Sequence, residues 1–381
     1  MIVSGTASIR DLYFRTLARP IQKKDELLPV QRVRGIAVLM MLAVHIEDVS
    51  RLFPGSSQVA SLYSQHLGYS AADLFFVISG FIMAYITFTR PFDARSWAIS
   101  RFIRIYPMYV LFSLLVVCLW LYNPRMTMGT GEQNWGRIAI SLMGLPQADL
   151  PLLFVGWTVE HEILFYTIVF LTAHFLGRER LPTVMILLSC LAIGRWLLTK
   201  VTGIEIWDYH LASPYMIQFT MGVLIFKYWN RFATLGWRIP AVVGSVFLVA
   251  GMIFATSGPI NHEPILRIFL FGIAYSSFFV CALNLESSQR ASGKFRQNRD
   301  FLVWVGDASY SIYLSHAFVL GTFGKVFPFV GQSFFAQTVA ILASIASVMI
   351  VGTLTHIFIE RRVMAFGQRL SKSKRLAGNP S

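Results

Sequence analysis

The apolar residues of this chain come in runs about 20 residues long, separated by short stretches rich in basic and turn-forming residues. A helix needs about 20 apolar residues to cross the hydrocarbon core of a bilayer. The runs therefore predict an all-α fold, a polytopic transmembrane helix bundle with about ten spans. The predicted spans are residues 34–52, 71–89, 105–122, 153–175, 182–200, 210–226, 239–256, 264–284, 302–322 and 334–358.

Basic residues flank this bundle and orient it. A transmembrane domain at 34–358 lies between a basic N-terminal segment, 1–33, and a basic tail, 359–381. If the N-terminus is cytoplasmic, the cytoplasmic segments hold 26 of the 33 Lys and Arg residues, in agreement with the positive-inside rule. Both termini are therefore expected in the cytoplasm. Residues 1–33 have no apolar segment typical of a cleavable signal peptide, so the first span is expected to direct insertion.

Composition agrees with a membrane protein and argues against several other classes. Hydrophobic residues make up 55% of the chain and charged residues 14%, with a mean hydropathy of +0.58. The net charge of +14 follows the predicted topology, which favours contact with anionic membrane lipids over nucleic-acid binding. Three cysteines stand singly in apolar spans, so neither a disulfide framework nor a metal site is expected. The loops are too short for a soluble catalytic domain, so any chemistry should take place in the bundle.

The first span carries two polar residues of interest, Arg34 and His45. Eleven residues of helix place His45 roughly 16 Å deeper than Arg34 and within about 20° of the same face. The spacing predicts a charged anchor at the membrane surface and a titratable group near the middle of the bilayer. Ionisable groups at that depth are expensive and usually mark a reaction or transport path. The alternative is a histidine that only bonds to a neighbouring helix.

Arg101 and Arg104 are three residues apart at the predicted cytoplasmic start of the third span, and so share a helix face. Guanidinium groups bind phosphate through paired hydrogen bonds. The two arginines could form a phosphate site, or they could simply act as a positive-inside signal.

Two acids lie in the apolar fourth span. Glu160 and Glu162 are two residues apart, so they point to nearly opposite faces of a helix and cannot both serve one site. Glu162 shares a face with Tyr166 and lies roughly 12 Å from the outer end, a depth that approaches that of the histidine in the first span. The structural alternative is a buried acid that is kept neutral or is paired with Arg195 or Arg267.

The ninth span has a polar face formed by Ser309, Tyr313 and His316. These side chains could line a substrate pocket or merely join one helix to another. Asp73, at the outer start of the second span, could be a helix N-cap as readily as a pocket residue.

Five polar stretches occur in an order that resembles one known family. They are VRGIAVLMMLAVH at 33–45, DLFFVISGFIM at 73–83, RFIRIYPMY at 101–109, GWTVEHEILFY at 156–166 and GDASYSIYLSH at 306–316. Together they are similar to the acyltransferase 3 family of integral-membrane acyltransferases, and most similar to its ExoZ-like, exopolysaccharide-acylating branch. The resemblance extends over residues 30 to 360.

The resemblance implies a multi-pass protein of the bacterial inner membrane that moves a short acyl group, expected to be acetyl, from cytoplasmic acyl-CoA to a hydroxyl. The implied acceptor is a glycan, an exopolysaccharide or a lipid-linked saccharide. The family motifs map CoA binding onto Arg34, Arg101 and Arg104, and they select Glu162. Free imidazole has a pKa of about 6.5, which suits a general base, so His45 is the expected base. Glu162 is expected to orient His45, to stabilise its imidazolium or to hydrogen-bond the acceptor.

The expected acceptor pocket consists of Asp73, Trp157, Tyr166, Tyr313 and His316. Relatives that acylate secreted small molecules such as macrolides share these motifs, so that class of acceptor stays open. Two functions from other classes also stay open. One is a transporter or flippase for a saccharide or lipid-linked substrate, and the other is a non-catalytic subunit of a polysaccharide-export complex.

Overall fold

The structure is a computed structural model that describes residues 27–53, 69–89, 91–124, 133–204, 210–255, 264–293, 295 and 299–367. Its described secondary structure is helical throughout, without strands. The α-helices are α1 (Leu28–Ser50), α2 (Ala71–Thr89), α3 (Ala94–Tyr122), α4 (Trp135–Met143), α5 (Trp157–Leu171), α6 (Leu181–Thr202), α7 (Met216–Lys227), α8 (Trp229–Ala233), α9 (Arg238–Phe254), α10 (Ile265–Ala291), α11 (Phe301–Val326) and α12 (Phe334–Thr355).

The predicted all-α fold is confirmed, and each of the ten predicted spans overlaps one of these helices. Among the described residues, five helical segments are long and apolar enough to cross a membrane, namely Ala71–Thr89, Ala94–Tyr122, Phe154–Thr202, Ile265–Ala291 and Phe334–Gly367. The number of crossings, the sides of the termini and the division at 33 and 359 remain predictions. Most of the basic flanks, residues 1–26 and 368–381, lies outside the described residues.

Two features of the helices differ from the sequence prediction. Helix α3 begins at Ala94, eleven residues before the predicted start, because the Asp93 side chain caps it by accepting a hydrogen bond from the Ser96 amide. Arg101 and Arg104 therefore lie two to three turns inside the helix rather than at its start. The short helices α4 and α8 were not predicted, since neither has an apolar run of membrane-spanning length.

Helix α1 packs most closely against α11, and glycines make that approach possible. A Cβ atom on Gly35 would collide with the Leu302 carbonyl oxygen, and one on Gly306 would collide with the Gln31 carbonyl oxygen. Small residues allow two helix backbones to come this close inside a membrane. The contact places the polar faces of α1 and α11 side by side.

The 49-residue helical segment from Phe154 to Thr202 is divided at Gly177. Gly177 has φ of +85°, a conformation that glycine adopts without strain. The chain can therefore turn between α5 and α6. A second irregular turn, a π-helical one at His356–Glu360, follows α12 and carries two side chains of the site described next.

Candidate functional site

A cavity of about 1570 Å³ runs along the inside of the bundle. Its lining on α1 extends from Leu27 to His45, which corresponds to roughly 27 Å of helix. We call the part lined by Arg34, Arg101 and Arg104 the arginine end, and the part lined by His45 and Phe154 the histidine end. The cavity is thus nearly as long as the hydrocarbon core of a bilayer is thick.

Most residues singled out in the sequence meet at this cavity. Nine of them line it, namely Arg34, His45, Arg101, Arg104, Trp157, Glu162, Tyr166, Ser309 and Tyr313. These residues come from α1, α3, α5 and α11, which are distant in sequence. Asp73 and His316 do not line it.

Asp73 lies away from the cavity surface. Its carboxylate is completely buried and forms an ion pair with Arg267, with Nη2 2.9 Å from Oδ2, and it also accepts a hydrogen bond from Gln218. Arg267 donates a further bond to the Tyr69 carbonyl. Asp73 therefore ties α2 to α7 and α10 and does not contribute to the cavity surface. This pairing also shows that Arg267 is the partner of Asp73 rather than of Glu162.

The arginines at the arginine end differ in their partners. Arg104 Nη1 lies 2.5 Å from Oε1 of Glu360, a residue whose side chain is 1% exposed. Arg34 instead donates to Ser309 Oγ at 2.9 Å. Among the described residues, no carboxylate lies within ion-pair distance of Arg34 or Arg101. Two guanidinium groups at this end therefore keep charge available for an anionic ligand.

Glu360 is a functional candidate that the sequence analysis missed. Besides Arg104, it accepts hydrogen bonds from Ser311 Oγ at 2.7 Å and from His356 Nδ1 at 2.8 Å. The π-helical turn at His356–Glu360 contains both His356 and the carboxylate, and such turns often occur at functional sites. A single acid at the end of an apolar run was the only available signal in the sequence.

Glu162 lies between the two ends of the cavity. It accepts hydrogen bonds from Tyr166 at 2.6 Å and from Ser79 at 3.1 Å. It is also close enough to Arg34 and Arg101 to attract their charges. Its hydrogen bonds do not include one to His45, so the expected direct contact between this carboxylate and the imidazole is not present.

The carboxylate that faces His45 belongs to Asp48, on the next turn of α1. Nδ1 of His45 lies 3.6 Å from Asp48 Oδ2, so Nε2 is the ring nitrogen left for a substrate. Phe154 packs edge-on against the same ring, with the centroids 5.5 Å apart. The sequence contained a signal for this pair, because residues three apart on a helix are neighbours.

His316 stacks on His45, with ring centroids 4.9 Å apart and planes 30° apart. Its Nδ1 donates to the Tyr313 carbonyl at 2.5 Å, and within the described part of the chain its buried Nε2 has no hydrogen-bond partner. His316 therefore supports His45 from behind, in place of the pocket position that was expected for it.

The site has the chemistry to hold an anion at one end and to move a proton at the other. Within the described ranges, no group of three or more His, Cys, Asp or Glu side chains is placed to hold a metal ion.

The Tyr313 hydroxyl donates to the Val155 carbonyl at 2.6 Å and lies 2.7 Å from Thr158 Oγ1. These contacts join α11 to the start of α5 beside the cavity.

Comparisons with known proteins point to acyl transfer. A sequence model of the acyltransferase 3 family, described as an acyltransferase domain, matches residues 30–356. The chain is 27% identical to exopolysaccharide production protein ExoZ of Rhizobium meliloti (strain 1021) over 329 residues, which are 82% of this chain and 94% of that protein. No solved structure matches the chain.

Proposed function

Because this chain belongs to the acyltransferase 3 family and is a membrane acyltransferase, we propose that it transfers a short acyl group, acetyl, from acyl-CoA to a saccharide hydroxyl. The proposed acceptor is an exopolysaccharide or its lipid-linked precursor. The similarity to a protein named for exopolysaccharide production, over nearly the whole length of that protein, supports this acceptor class.

The observation that carries the proposal is the position of charge and base in one cavity. The donor has phosphate groups at one end and a thioester at the other, with the pantetheine arm between them. Arg34 and His45 line opposite ends of the cavity and are roughly 16 Å apart along α1. A donor with its phosphates on the arginines would extend its thioester toward His45.

Arg34 and Arg101 are the proposed phosphate ligands, since neither is neutralised by a carboxylate among the described residues. Guanidinium groups match phosphate oxygens in pairs, which gives orientation as well as affinity. Arg104 contributes through its position, but its charge is shared with Glu360. Glu162 accepts a hydrogen bond from Tyr166 and places negative charge near Arg34 and Arg101.

In the proposed reaction, Nε2 of His45 accepts the proton of the acceptor hydroxyl while the oxygen of that hydroxyl attacks the thioester carbon. The carbon–sulfur bond then breaks, and the sulfur leaves as CoA thiolate, which takes up the proton from the imidazolium. Asp48, 3.6 Å from Nδ1, stabilises the imidazolium between these steps. Asp48 thus takes one of the roles expected of Glu162, the stabilisation of the imidazolium.

The test is to measure CoA release by the purified protein in lipid nanodiscs with acetyl-CoA and a saccharide acceptor. We expect His45→Ala to lower transfer by about 10²-fold or more, because general-base catalysis contributes about that much. His174→Ala is the matched control, since His174 is exposed and does not line the cavity. Undiminished transfer in His45→Ala would remove the proposed base, and a flippase would release no CoA at all.

A further inference from the structure

The histidine end of the cavity has a wall built from three aromatic residues in mutual contact. Trp157 and Tyr215 have ring centroids 5.4 Å apart, and Phe76 contacts Tyr215 at 4.9 Å and Trp157 at 6.1 Å. All three residues line the cavity, and we call them the aromatic wall. Phe76 and Tyr215 are almost fully buried, whereas Trp157 is half-buried. Trp157 therefore offers its surface to the cavity, and the other two support it.

A buried polar network lies behind this wall. His161 Nδ1 is 2.8 Å from the Trp157 carbonyl, and its Nε2 is 3.0 Å from Ser213 Oγ. His210 stacks on the His161 ring at 4.2 Å and contacts Glu160 at 3.3 Å. None of these four side chains is more than 2% exposed, and none lines the cavity.

The ionisable groups of this network are unusual for the interior of a membrane protein. Burying an acid and two imidazoles there is energetically unfavourable, and such groups usually mark functional sites. Its contacts lead to the wall, because His161 bonds to the backbone of Trp157 and packs edge-on against Tyr215 at 5.4 Å. The network therefore holds the two rings rigidly at one orientation. A rigid aromatic surface is useful where a flat ligand must be positioned.

The wall is linked to the proposed base through Phe154. Phe154, which contacts the His45 ring, is only three residues before Trp157. The cavity arginines Arg34, Arg101 and Arg104 are at the other end. An uncharged ligand therefore suits the wall better than the polyanionic donor. Aromatic faces carry partial negative charge, and they attract the polarised C–H groups on the face of a sugar ring.

We propose that the aromatic wall is the acceptor subsite, where a neutral pyranose ring stacks on Trp157 with a hydroxyl directed toward His45. The proposal rests on the proposed function in naming this sugar as the acceptor. Sugar binding itself needs no donor and no chemistry. It can therefore be measured separately from acyl transfer.

The experiment is saturation-transfer NMR of the full chain in phospholipid nanodiscs, free of glycolipid and glycoside detergent. The probes are the methyl pyranosides of glucose, galactose and mannose. We expect at least one of them to bind, and Trp157→Leu to weaken that binding about tenfold, the effect of losing one aromatic stack. Trp157→Phe should bind within about threefold of the native protein, because an aromatic face is retained.

Trp135→Leu is the matched control, since Trp135 is exposed and lies outside the cavity. It should bind the sugars as the native protein does. Thermal melting of each variant shows whether it remains folded. If Trp157→Leu does not fold, the comparison of Trp157→Phe with the native protein still tests the proposal.

Three results would overturn the proposal. The first is that none of the three pyranosides binds, and the second is that Trp157→Leu binds as well as the control. The third is that Trp157→Leu still binds the sugar but no longer binds S-acetyl-N-acetylcysteamine, a short thioester analogue of the donor. That result would make the wall a pocket for the acyl group. A protein that binds sugar but releases no CoA would contradict the proposed function and leave the subsite intact.

Discussion

The two arginines of the Arg101–Arg104 pair should fail in different ways when they are replaced by glutamine. Arg101 has no carboxylate partner among the described residues, whereas Arg104 forms an ion pair with Glu360, which is buried. Arg101→Gln should therefore weaken donor binding and leave the fold intact. Arg104→Gln should destabilise the protein, because it leaves a buried carboxylate without its cation.

The magnitudes follow from these contacts. A hydrogen bond to a charged group contributes about 1.5–3 kcal/mol, so Arg101→Gln should raise the KM for acetyl-CoA by about 10- to 100-fold. Removing one partner of a buried ion pair costs about 3–5 kcal/mol. Because Ser311 and His356 still donate to Glu360 after Arg104→Gln, we expect the lower limit, about 3 kcal/mol.

The assay combines donor kinetics with thermal unfolding in nanodiscs, and a double variant isolates the ion pair. Glu360→Gln together with Arg104→Gln removes both charges, so it should recover much of the stability lost in Arg104→Gln alone. The reasoning is refuted if Arg101→Gln destabilises the protein as much as Arg104→Gln does. It is also refuted if the double variant is no more stable than the single one.

Three further predictions test other parts of the structure. Asp48→Asn should lower kcat by about two- to fivefold and leave the donor KM unchanged, because a partly exposed ion pair such as the one with His45 contributes that range of energy. An unchanged kcat would contradict the role of Asp48 in stabilising the imidazolium. Gly306→Val should separate α11 from α1, because its side chain meets the Gln31 carbonyl, and should lower the melting temperature; a native melting temperature would show that the close contact is dispensable. Asp300 caps α11 by accepting a hydrogen bond from the Val303 amide. Partial burial raises the pKa of Asp300, but hydrogen bonds from the Val303 amide and Arg32 lower this pKa on balance. The stabilising effect of the cap should therefore be present above the unfolded-state pKa and be lost as pH falls through the folded-state pKa. Asp300→Ala should abolish that part of the pH dependence of unfolding, and an unaltered profile would count against the cap.

The sequence was sufficient to predict the helices and the depth of individual residues. Apolar runs of membrane-spanning length and a constant rise per residue are local properties. They located all ten predicted helices and placed Arg34 and His45 on one face of α1, and the motifs indicated the family. Helix α3 begins before the predicted span, because the cap at Asp93 extends the helix into a polar segment.

Contacts between distant helices could not be predicted in the same way. Glu360 pairs with Arg104, 256 residues away, and Arg267 pairs with Asp73, 194 residues away. Each of these acids had several arginines available in the sequence, and helix periodicity indicates only which face a side chain occupies. The same limit applies to Glu162, whose distance from His45 depends on how α5 packs against α1.

What the sequence determined by itself is therefore the set of helices, their polar faces and the chemical types available in the bundle, because these depend on neighbours along the chain. Tertiary structure alone decided that Glu162 bonds to Ser79, that Arg104 pairs with Glu360, and that Trp157 and Tyr215 form one wall. The physical reason is that ion pairs and contacts between aromatic rings act over a few ångströms. Only the packing of helices brings such groups within that distance.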